Sequence, residues 1–324
     1  MSEILTIAGQ NLLTPMILCF CLGLAAALAR SELSIPEAMA KAMSIYLLFA
    51  IGFKGGVSVA NHGLDGQLVA ALLAGVALSF GLPFVAFGLL RALSRMSVLD
   101  AAAVAAHYGS ISIVTFVTAT TVLSGQGIDS EGYMVAVAAA MEAPAIVAAL
   151  WLAAWSGTGA RMDARLWHEI LLNGSIVLLI GAFVIGAITG APGMARIESF
   201  IVSPFQGVLC LFLLDMGLVA GRGLRGVRGQ IGPGALAFGV IMPVVGAAFG
   251  AGAGLLLGLS PGGIALLMTL AASASYIAVP AAMRVALPEA NPAISLTLSL
   301  GITFPFNLII GIPSYVAVAQ FIGG

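Results

Sequence analysis

The sequence predicts an all-α integral membrane protein whose ten membrane-spanning helices form two inverted repeats of five helices each. Three observations predict this fold class: the composition, the length of the apolar runs and a similarity between the two halves of the chain. Of the 324 residues, 61% are hydrophobic and only 8% are charged, whereas a soluble domain has about 25% charged residues. The apolar runs reach about twenty residues, the length that crosses a bilayer core of about 30 Å.

Ten apolar runs are the predicted spans, and the loops between them are short and contain Gly, Pro, Asp or Arg. The spans cover residues 12–29, 36–53, 67–92, 99–123, 131–155, 170–190, 200–221, 233–258, 261–286 and 292–321. Because no basic segment precedes the first run, we expect it to be a retained helix rather than a signal peptide.

The basic residues predict the orientation of these spans. When the loops are assigned alternately to two sides, nine arginines fall on one side and only Lys54 and Arg196 on the other. The nine are Arg30, Arg91, Arg95, Arg161, Arg165, Arg222, Arg225, Arg228 and Arg284. Cytoplasmic loops are enriched in Lys and Arg, so we expect both termini to be periplasmic in a bacterial inner membrane.

The two halves of the chain, residues 1–160 and 161–324, resemble each other at a near-constant spacing. Gly52 recurs as Gly217, and Ser110 as Ser275, each 165 residues later. Further pairs at offsets of 160 to 168 are Gly56 and Gly221, Gln67 and Gln230, Pro36 and Pro204, Pro83 and Pro243, and Pro144 and Pro305. Each half holds five spans, so the second half enters the membrane from the opposite side. Inverted repeats of this kind are typical of secondary transporters.

Polar, helix-breaking stretches lie in the fourth span of each half. Residues 107–121 read HYGSISIVTFVTATT and residues 271–280 read AASASYIAVP. Gly109 and Pro280 disfavour regular helix, and serine hydroxyls bond freed peptide groups. We therefore expect spans four and nine to break near their centres and cross there. The alternative is that the small and hydroxyl residues serve only close helix packing.

Such a crossing suits a small anion. Two half-helix N-termini would meet there with a combined charge of roughly +1, and freed carbonyls beside them could hold a cation such as Na⁺. The predicted anion site comprises Gly109, Ser110, Ile111, Ser112, Thr115, Ser273, Ala274, Ser275 and Tyr276. The candidates for cation or proton binding are Ser112, Thr115, Glu142, Asp215 and Ser275.

The two acids lie mid-membrane, where a charged carboxylate costs roughly 2.5–3.5 kcal/mol. Glu142 either binds a cation or proton or, protonated or paired, braces the bundle. Asp215 either faces the substrate path or pairs with a polar neighbour.

Other polar residues lie beside the breaks. His107 is either bonded within the bundle or a proton relay, and the hydroxyl of Tyr276 is expected to donate to substrate or to Ser112. Thr303 and Asn307 are expected to satisfy peptide groups freed at a helix break. Lys54, placed at the outer end of span two, is an interfacial anchor or attracts anions to an outer mouth.

Composition and motifs exclude other classes of function. The net charge of −1 and the lack of a basic block argue against nucleic acid as a partner. The cysteines Cys19, Cys21 and Cys210 have neither disulfide nor metal-site spacing. The chain has no zinc-peptidase or serine-hydrolase motif, so neither an enzyme nor a cofactor is expected.

Four pieces of the sequence carry a resemblance to a known family. They are IPEAMAKAMSIYLLFAIGFKGG (35–56), DAAAVAAHYGSISIVT (100–115), MEAPAIV (141–147) and AASASYIAVPAAMRVALPEANPA (271–293). In these pieces, and over nearly all of its length, the chain resembles the SbtA-type sodium-dependent bicarbonate transporters. The resemblance implies a gate domain of spans 1, 2, 6 and 7, a core domain of the other six, an elevator motion and a homotrimer. It also implies import of bicarbonate with Na⁺, and cyanobacterial members have a cytoplasmic PII-like regulator.

Three positions differ from the family pattern. Tyr276 replaces an Asp and Ala274 replaces a Ser, while Glu142 stands where the family has an Asp. Because the missing Asp is a natural cation ligand, a proton-coupled carrier of another small monocarboxylate or inorganic anion stays open. A channel or a membrane sensor that moves no ligand is the second alternative, and saturable uptake would distinguish a carrier from both.

Overall fold

The computed structural model describes residues 14–62, 66–155, 174–226, 231–276, 279–280, 282–283 and 287–323. Within these ranges the regular structure is helical throughout. Eight helical segments there, counted across short interruptions, are long and apolar enough to cross a membrane, and two shorter apolar helices accompany them. The chain is therefore a multi-pass, all-α membrane protein.

The helices follow the predicted spans in order. They are α1 (Pro15–Leu28), α2 (Glu37–His62), α3 (Gly66–Leu93), α4 (Val98–Gly109), α5 (Ile113–Gly125), α6 (Met134–Ala140), α7 (Pro144–Trp155), α8 (Gly174–Ile201), α9 (Phe205–Gly226), α10 (Pro233–Leu256), α11 (Pro261–Ala272) and α12 (Pro292–Gly323). The loop expected at 161–165 lies outside the described residues.

Two predicted helix ends are wrong. The second span was expected to end at residue 53, but α2 continues to His62, so Lys54 lies within the helix and not at its outer end. The sixth was expected to end at residue 190, but the helical segment α8 resumes after a kink at Gly190, whose φ of 56° suits glycine, and reaches Ile201.

Four predicted helices are interrupted or distorted. The fourth breaks between α4 and α5, and the ninth loses regular helix after Ala272, both as the sequence predicts. The fifth, expected to be continuous, breaks between α6 and α7. In α12, residues Thr297–Thr303 and Asn307–Gly311 are π-helical on either side of Pro305, because proline supplies no amide to the regular ladder.

Glycines bring two pairs of long helices into backbone contact. In the pair α1 and α9, a Cβ on Gly217 would collide with the carbonyl of Phe20; in the pair α2 and α8, a Cβ on Gly56 would collide with that of Phe183. Similarly close approaches occur at Gly23, Gly52, Gly186 and Gly221. The first segment thus pairs with the seventh and the second with the sixth.

The segment with the most polar residues is also the most enclosed. In Val98–Gly125, 94% of the most apolar window is buried by the rest of the molecule, against 17% for Val177–Ile201. Ser110, Ser112, Thr115 and Thr118 are buried, so these hydroxyls face protein and not lipid, as the cost of unpaired polar groups in hydrocarbon requires.

Candidate functional site

The two predicted breaks are short extended segments. Between α4 and α5, Ser110 (φ −84°, ψ 164°) and Ser112 (φ −102°, ψ 108°) have extended backbone. After α11, Ser273 is likewise extended (φ −82°, ψ 165°). Each break therefore frees peptide groups in the interior of the bundle, where they need partners.

Hydrogen bonds join the two breaks to each other. The amide of Ser112 donates to Oγ of Ser273 over 2.9 Å, and the amide of Ser275 donates to the carbonyl of His107 over 2.7 Å. The ring Nδ1 of His107 is bonded to the carbonyl of Ser275. A carbonyl cannot donate, so the proton of this bond is on Nδ1. His107 is thus bonded within the bundle, the first of its two expected roles.

The carbonyl-bearing end of α11 is satisfied by protein groups. Asn307 donates from Nδ2 to the carbonyl of Ala272 over 2.9 Å, and its Oδ1 accepts from the hydroxyl of Tyr315 over 2.8 Å. Oγ of Ser273 donates to the carbonyl of Leu270 over 2.8 Å. The expected role of Asn307 at a helix break is therefore confirmed.

The amide-bearing end of α5 is only partly satisfied. Oγ of Ser112 accepts from the amide of Thr115 over 3.2 Å and from its hydroxyl over 2.8 Å. The earlier N–H groups of a helix have no intrahelical partner, so they are left at the positive end of α5. Beyond the second break, the amide of Val279 lies 3.4 Å from Oγ of Ser275, which gives Ser275 a position like that of Ser112.

Two buried hydroxyls at the breaks lack partners. Neither Oγ of Ser110 nor the hydroxyl of Tyr276 has a hydrogen-bond partner in the described part of the chain. The Tyr276 hydroxyl lies close to Ser112 and interacts with its side chain, as expected, but the two groups do not reach hydrogen-bond geometry. The ring of Tyr276 packs edge-on against Phe304, with centroids 5.4 Å apart. A buried hydroxyl without a partner costs about 1–3 kcal/mol, which a bound polar solute would recover.

Tyr108, which lies beside the first break, is hydrogen-bonded within the protein. The hydroxyl of Thr303 donates to the carbonyl of Gly239 over 2.6 Å, so the hydroxyl of Tyr108, 2.7 Å away, must be the donor to Thr303. The Tyr108 ring packs edge-on against Phe238. These two hydrogen bonds tie α4 to α10 and α12. The hydroxyl of Tyr108 is thus bonded, unlike that of Tyr276.

A family model matches this chain over residues 15–320, nearly its whole length, and describes the Na⁺-dependent bicarbonate transporter superfamily. The chain belongs to this superfamily. The resemblance drawn from the four sequence pieces is thereby confirmed, and so is the expectation of a transporter family rather than an enzyme family. A search among curated proteins found no match.

Gly109 was expected to disfavour regular helix at the first break, but in this superfamily member the structure gives it a different role. Gly109 is the last residue of α4, and its φ is not positive. A Cβ there would lie within 2.6 Å of the carbonyl oxygen of Ser79 and would overlap the ring of Pro83. Gly109 is therefore required for close packing of α4 on α3.

Glu142 lies at a third break that the sequence did not predict. It is buried between α6 and α7, and its Oε2 has no partner in the described part of the chain. Oγ of Ser79 donates to the carbonyl of Met141 over 2.6 Å, so α3 holds both this break and the first one. Pro144 is the only sequence signal for the break, since proline disfavours helix just before itself. No described hydrogen bond links Glu142 to the crossing serines.

The described interaction of Asp215 is with a residue of its own helix and not with the helix breaks. Asp215 is buried midway along α9 and interacts electrostatically with Arg222, two turns further on. Arg222 also donates to the carbonyl of Leu33 over 3.0 Å. Both readings of Asp215, facing the substrate path and pairing with a polar neighbour, stay predictions.

Cavities approach the breaks from opposite ends of the bundle. The larger, about 620 Å³ and called the vestibule below, reaches from Gln206 down to Phe116 and Leu266. A smaller one of about 80 Å³ is bounded by His107 and Ser295. The vestibule lies at the side predicted to be periplasmic and the small cavity at the side predicted to be cytoplasmic.

Proposed function

We propose that the protein is a secondary active transporter that imports bicarbonate together with Na⁺ and holds the anion at the two crossed helix breaks. The observation that carries this proposal is the unequal satisfaction of the broken helices. The carbonyl end of α11 is bonded by Asn307, whereas the amide end of α5 and the hydroxyls of Ser110 and Tyr276 keep unused hydrogen-bonding capacity.

The charge at such a site favours an anion. A helix N-terminus carries about +0.5 of an elementary charge, and low-dielectric surroundings strengthen its effect. None of the residues 109–112 and 273–276 is basic, so the peptide dipoles supply the attraction. Bicarbonate has both acceptor oxygens and one O–H donor, which suits hydroxyls that can donate and accept, such as those of Ser110 and Tyr276.

The proposed coupling to Na⁺ rests on the lack of an acidic residue at the two breaks. With Tyr276 where the family has an Asp, the crossing offers a cation only neutral oxygens, such as those of Ser112, Thr115 and Ser275. The bound anion then supplies the negative charge that a carboxylate would supply elsewhere. Na⁺ and bicarbonate should therefore bind cooperatively, each raising the affinity for the other by the same factor.

The transport step that we propose is an elevator motion. The gate domain would comprise α1, α2, α8 and α9, and the core domain the remaining helices. The backbone contacts of α1 with α9 and of α2 with α8 support a gate that moves as one body. The bonds between the two breaks support a core that carries the site intact. Two inverted repeats, a homotrimer in a bacterial inner membrane, periplasmic termini and a PII-like regulator belong to this proposal.

Uptake into proteoliposomes tests the proposal. Labelled bicarbonate uptake should be saturable and driven by an inward Na⁺ gradient at equal pH on both sides. Labelled nitrate and formate, tested the same way, should be poorer substrates. Non-saturating flux that follows voltage would contradict the proposal and favour a channel, and binding without any uptake would favour a sensor.

A proton-coupled carrier of another small anion is the second candidate. It is favoured by the buried carboxylate of Glu142, whose Oε2 lacks a partner in the described chain, and by Tyr276 in place of the family acid. Uptake driven by an imposed pH gradient without Na⁺, and lost in Glu142→Gln, would establish it in place of Na⁺ coupling.

A further inference from the structure

Lys54 is a cation deep within the membrane-spanning part of α2. It lies eight residues before the end of the helix at His62, about 12 Å along the axis. A cation at such a depth is costly and usually faces a cavity or a partner, and it is therefore a candidate for function. The side chain is half-buried in the wall of the vestibule.

No carboxylate in the described part of the chain neutralises this lysine. The ammonium lies 4.6 Å from the ring centroid of Phe205, a favourable cation–π contact that leaves the positive charge in place. Glu131 also lines the vestibule, but its carboxylate accepts from the amide of Ser260 over 2.6 Å and from its hydroxyl over 3.1 Å. Glu131 is therefore held at the N-terminus of α11, whose positive end offsets part of its charge. Lys54 is the only cation among the described residues that line the vestibule.

The lining of the vestibule changes from polar to apolar with depth. Ser124, Ser203 and Gln206 at its mouth are exposed, whereas Phe116 and Leu266 at its floor are buried. Phe116 follows Ser112 by one turn of α5, about 6 Å along the axis. A small anion in the vestibule would thus stand near the lysine and one helical turn short of the first break.

We propose that the vestibule is a low-affinity collecting site for the transported anion and that Lys54 holds the anion there before it reaches the breaks. This inference rests on the proposed function only in taking the cargo to be an anion. A cation in a cavity with low-dielectric walls raises the local concentration of anions and their rate of entry by about tenfold or more. The ligand is a small monovalent anion, because Lys54 supplies one positive charge to the vestibule.

Substitution of the lysine tests the inference in proteoliposomes. In Lys54→Gln we expect the KM for labelled bicarbonate to rise about fivefold, while the maximal rate changes less than twofold, and Lys54→Arg should restore most of the affinity. Lys41→Gln is the matched control, since Lys41 is an exposed lysine of the same helix, and its kinetics should equal those of the wild type.

Ionic strength separates an electrostatic role from a structural one. Raising it from about 10 mM to about 150 mM with choline gluconate, at fixed Na⁺, shortens the Debye length from about 30 Å to about 8 Å. Uptake at low bicarbonate by the wild type should fall about threefold, and uptake by Lys54→Gln should stay flat. A wild-type KM in Lys54→Gln, or an unchanged salt response, would overturn the inference.

A chemical variant restores the charge after folding. Lys54→Cys treated with aminoethyl methanethiosulfonate should recover the low KM, and the sulfonatoethyl reagent should not. Wild type treated in the same way controls for Cys19, Cys21 and Cys210. Recovery with both reagents would overturn the inference, whereas absent saturable anion uptake in the wild type would refute the proposed function itself.

Discussion

Tyr276 and Tyr315 show how two buried tyrosines of the same bundle can have opposite roles. The hydroxyl of Tyr315 donates to Asn307 and so supports the bond that closes the end of α11. The hydroxyl of Tyr276 has no such partner in the described chain. A protein group that is buried without a partner is retained at a cost, and in the function proposed above bound bicarbonate would supply the partner.

The two tyrosines give a paired prediction. Tyr276→Phe keeps the ring against Phe304 and removes no protein hydrogen bond, so thermal stability should not fall, while the KM for bicarbonate rises about fivefold for a lost bond of about 1 kcal/mol. Tyr315→Phe leaves Oδ1 of Asn307 without its donor and should lower the melting temperature. Scanning fluorimetry and uptake measure both, and a destabilised Tyr276→Phe with wild-type KM would contradict this assignment.

The chemistry of single residues predicted most of the side chains at the two breaks, but not every residue that supports them. The serines of both breaks and Asn307 could be singled out because hydroxyl and amide groups are costly in a spanning helix unless they bond freed peptides. Ser79 could not, because a single serine in α3 is typical of ordinary helix packing. Its roles toward Gly109 and Met141 appear only when three helices are assembled.

At the level of the helices, close packing explains several glycines that the sequence makes look like loop residues. Gly55 and Gly56 suggest a helix end after residue 53, yet α2 continues to His62. A Cβ on Gly55 would overlap Val135, and one on Gly56 would collide with α8. The same residue type ends helices and permits their close approach, so the sequence alone could not place the end of α2.

Alanine substitutions at Gly109 and Gly88 test whether a glycine is needed for close helix packing or only adds backbone flexibility. Gly109→Ala would place a methyl group against Ser79 and Pro83, and overpacking of this kind costs about 1–3 kcal/mol. Gly88→Ala, in α3, meets nothing within 4 Å and should be neutral or stabilising. Melting temperatures in detergent measure the difference, and an unaffected Gly109→Ala would show that α3 does not pack against the break.

The sequence alone could not predict the helix breaks that lack a cluster of glycine or serine residues. Met141, Glu142 and Ala143 carry no breaker of their own, and Pro144 at the first position of α7 is equally suited to starting a helix. The π-helical stretches of α12 depend on Pro305 and on packing around it. Both irregularities lie in the last span of a half-chain, where the sequence showed only the proline pair.

For the whole molecule, the all-helical, multi-pass character and the order of the apolar segments followed from composition and length. The exchange of partners between α1 with α9 and α2 with α8 agrees with the half-chain spacing of Gly52, Gly56, Gly217 and Gly221. Substrate identity, coupling and assembly do not follow from apolar patterning, because they depend on a few polar atoms and on surfaces that face lipid or other subunits.

Equilibrium binding of labelled bicarbonate to the purified protein tests most directly whether the crossed breaks hold the anion. Wild-type protein should bind saturably and more tightly with Na⁺ than with choline, and the double variant Ser110→Ala, Tyr276→Phe should lose binding about tenfold or more at unchanged melting temperature. Undiminished binding by a folded double variant would show that the anion is held elsewhere.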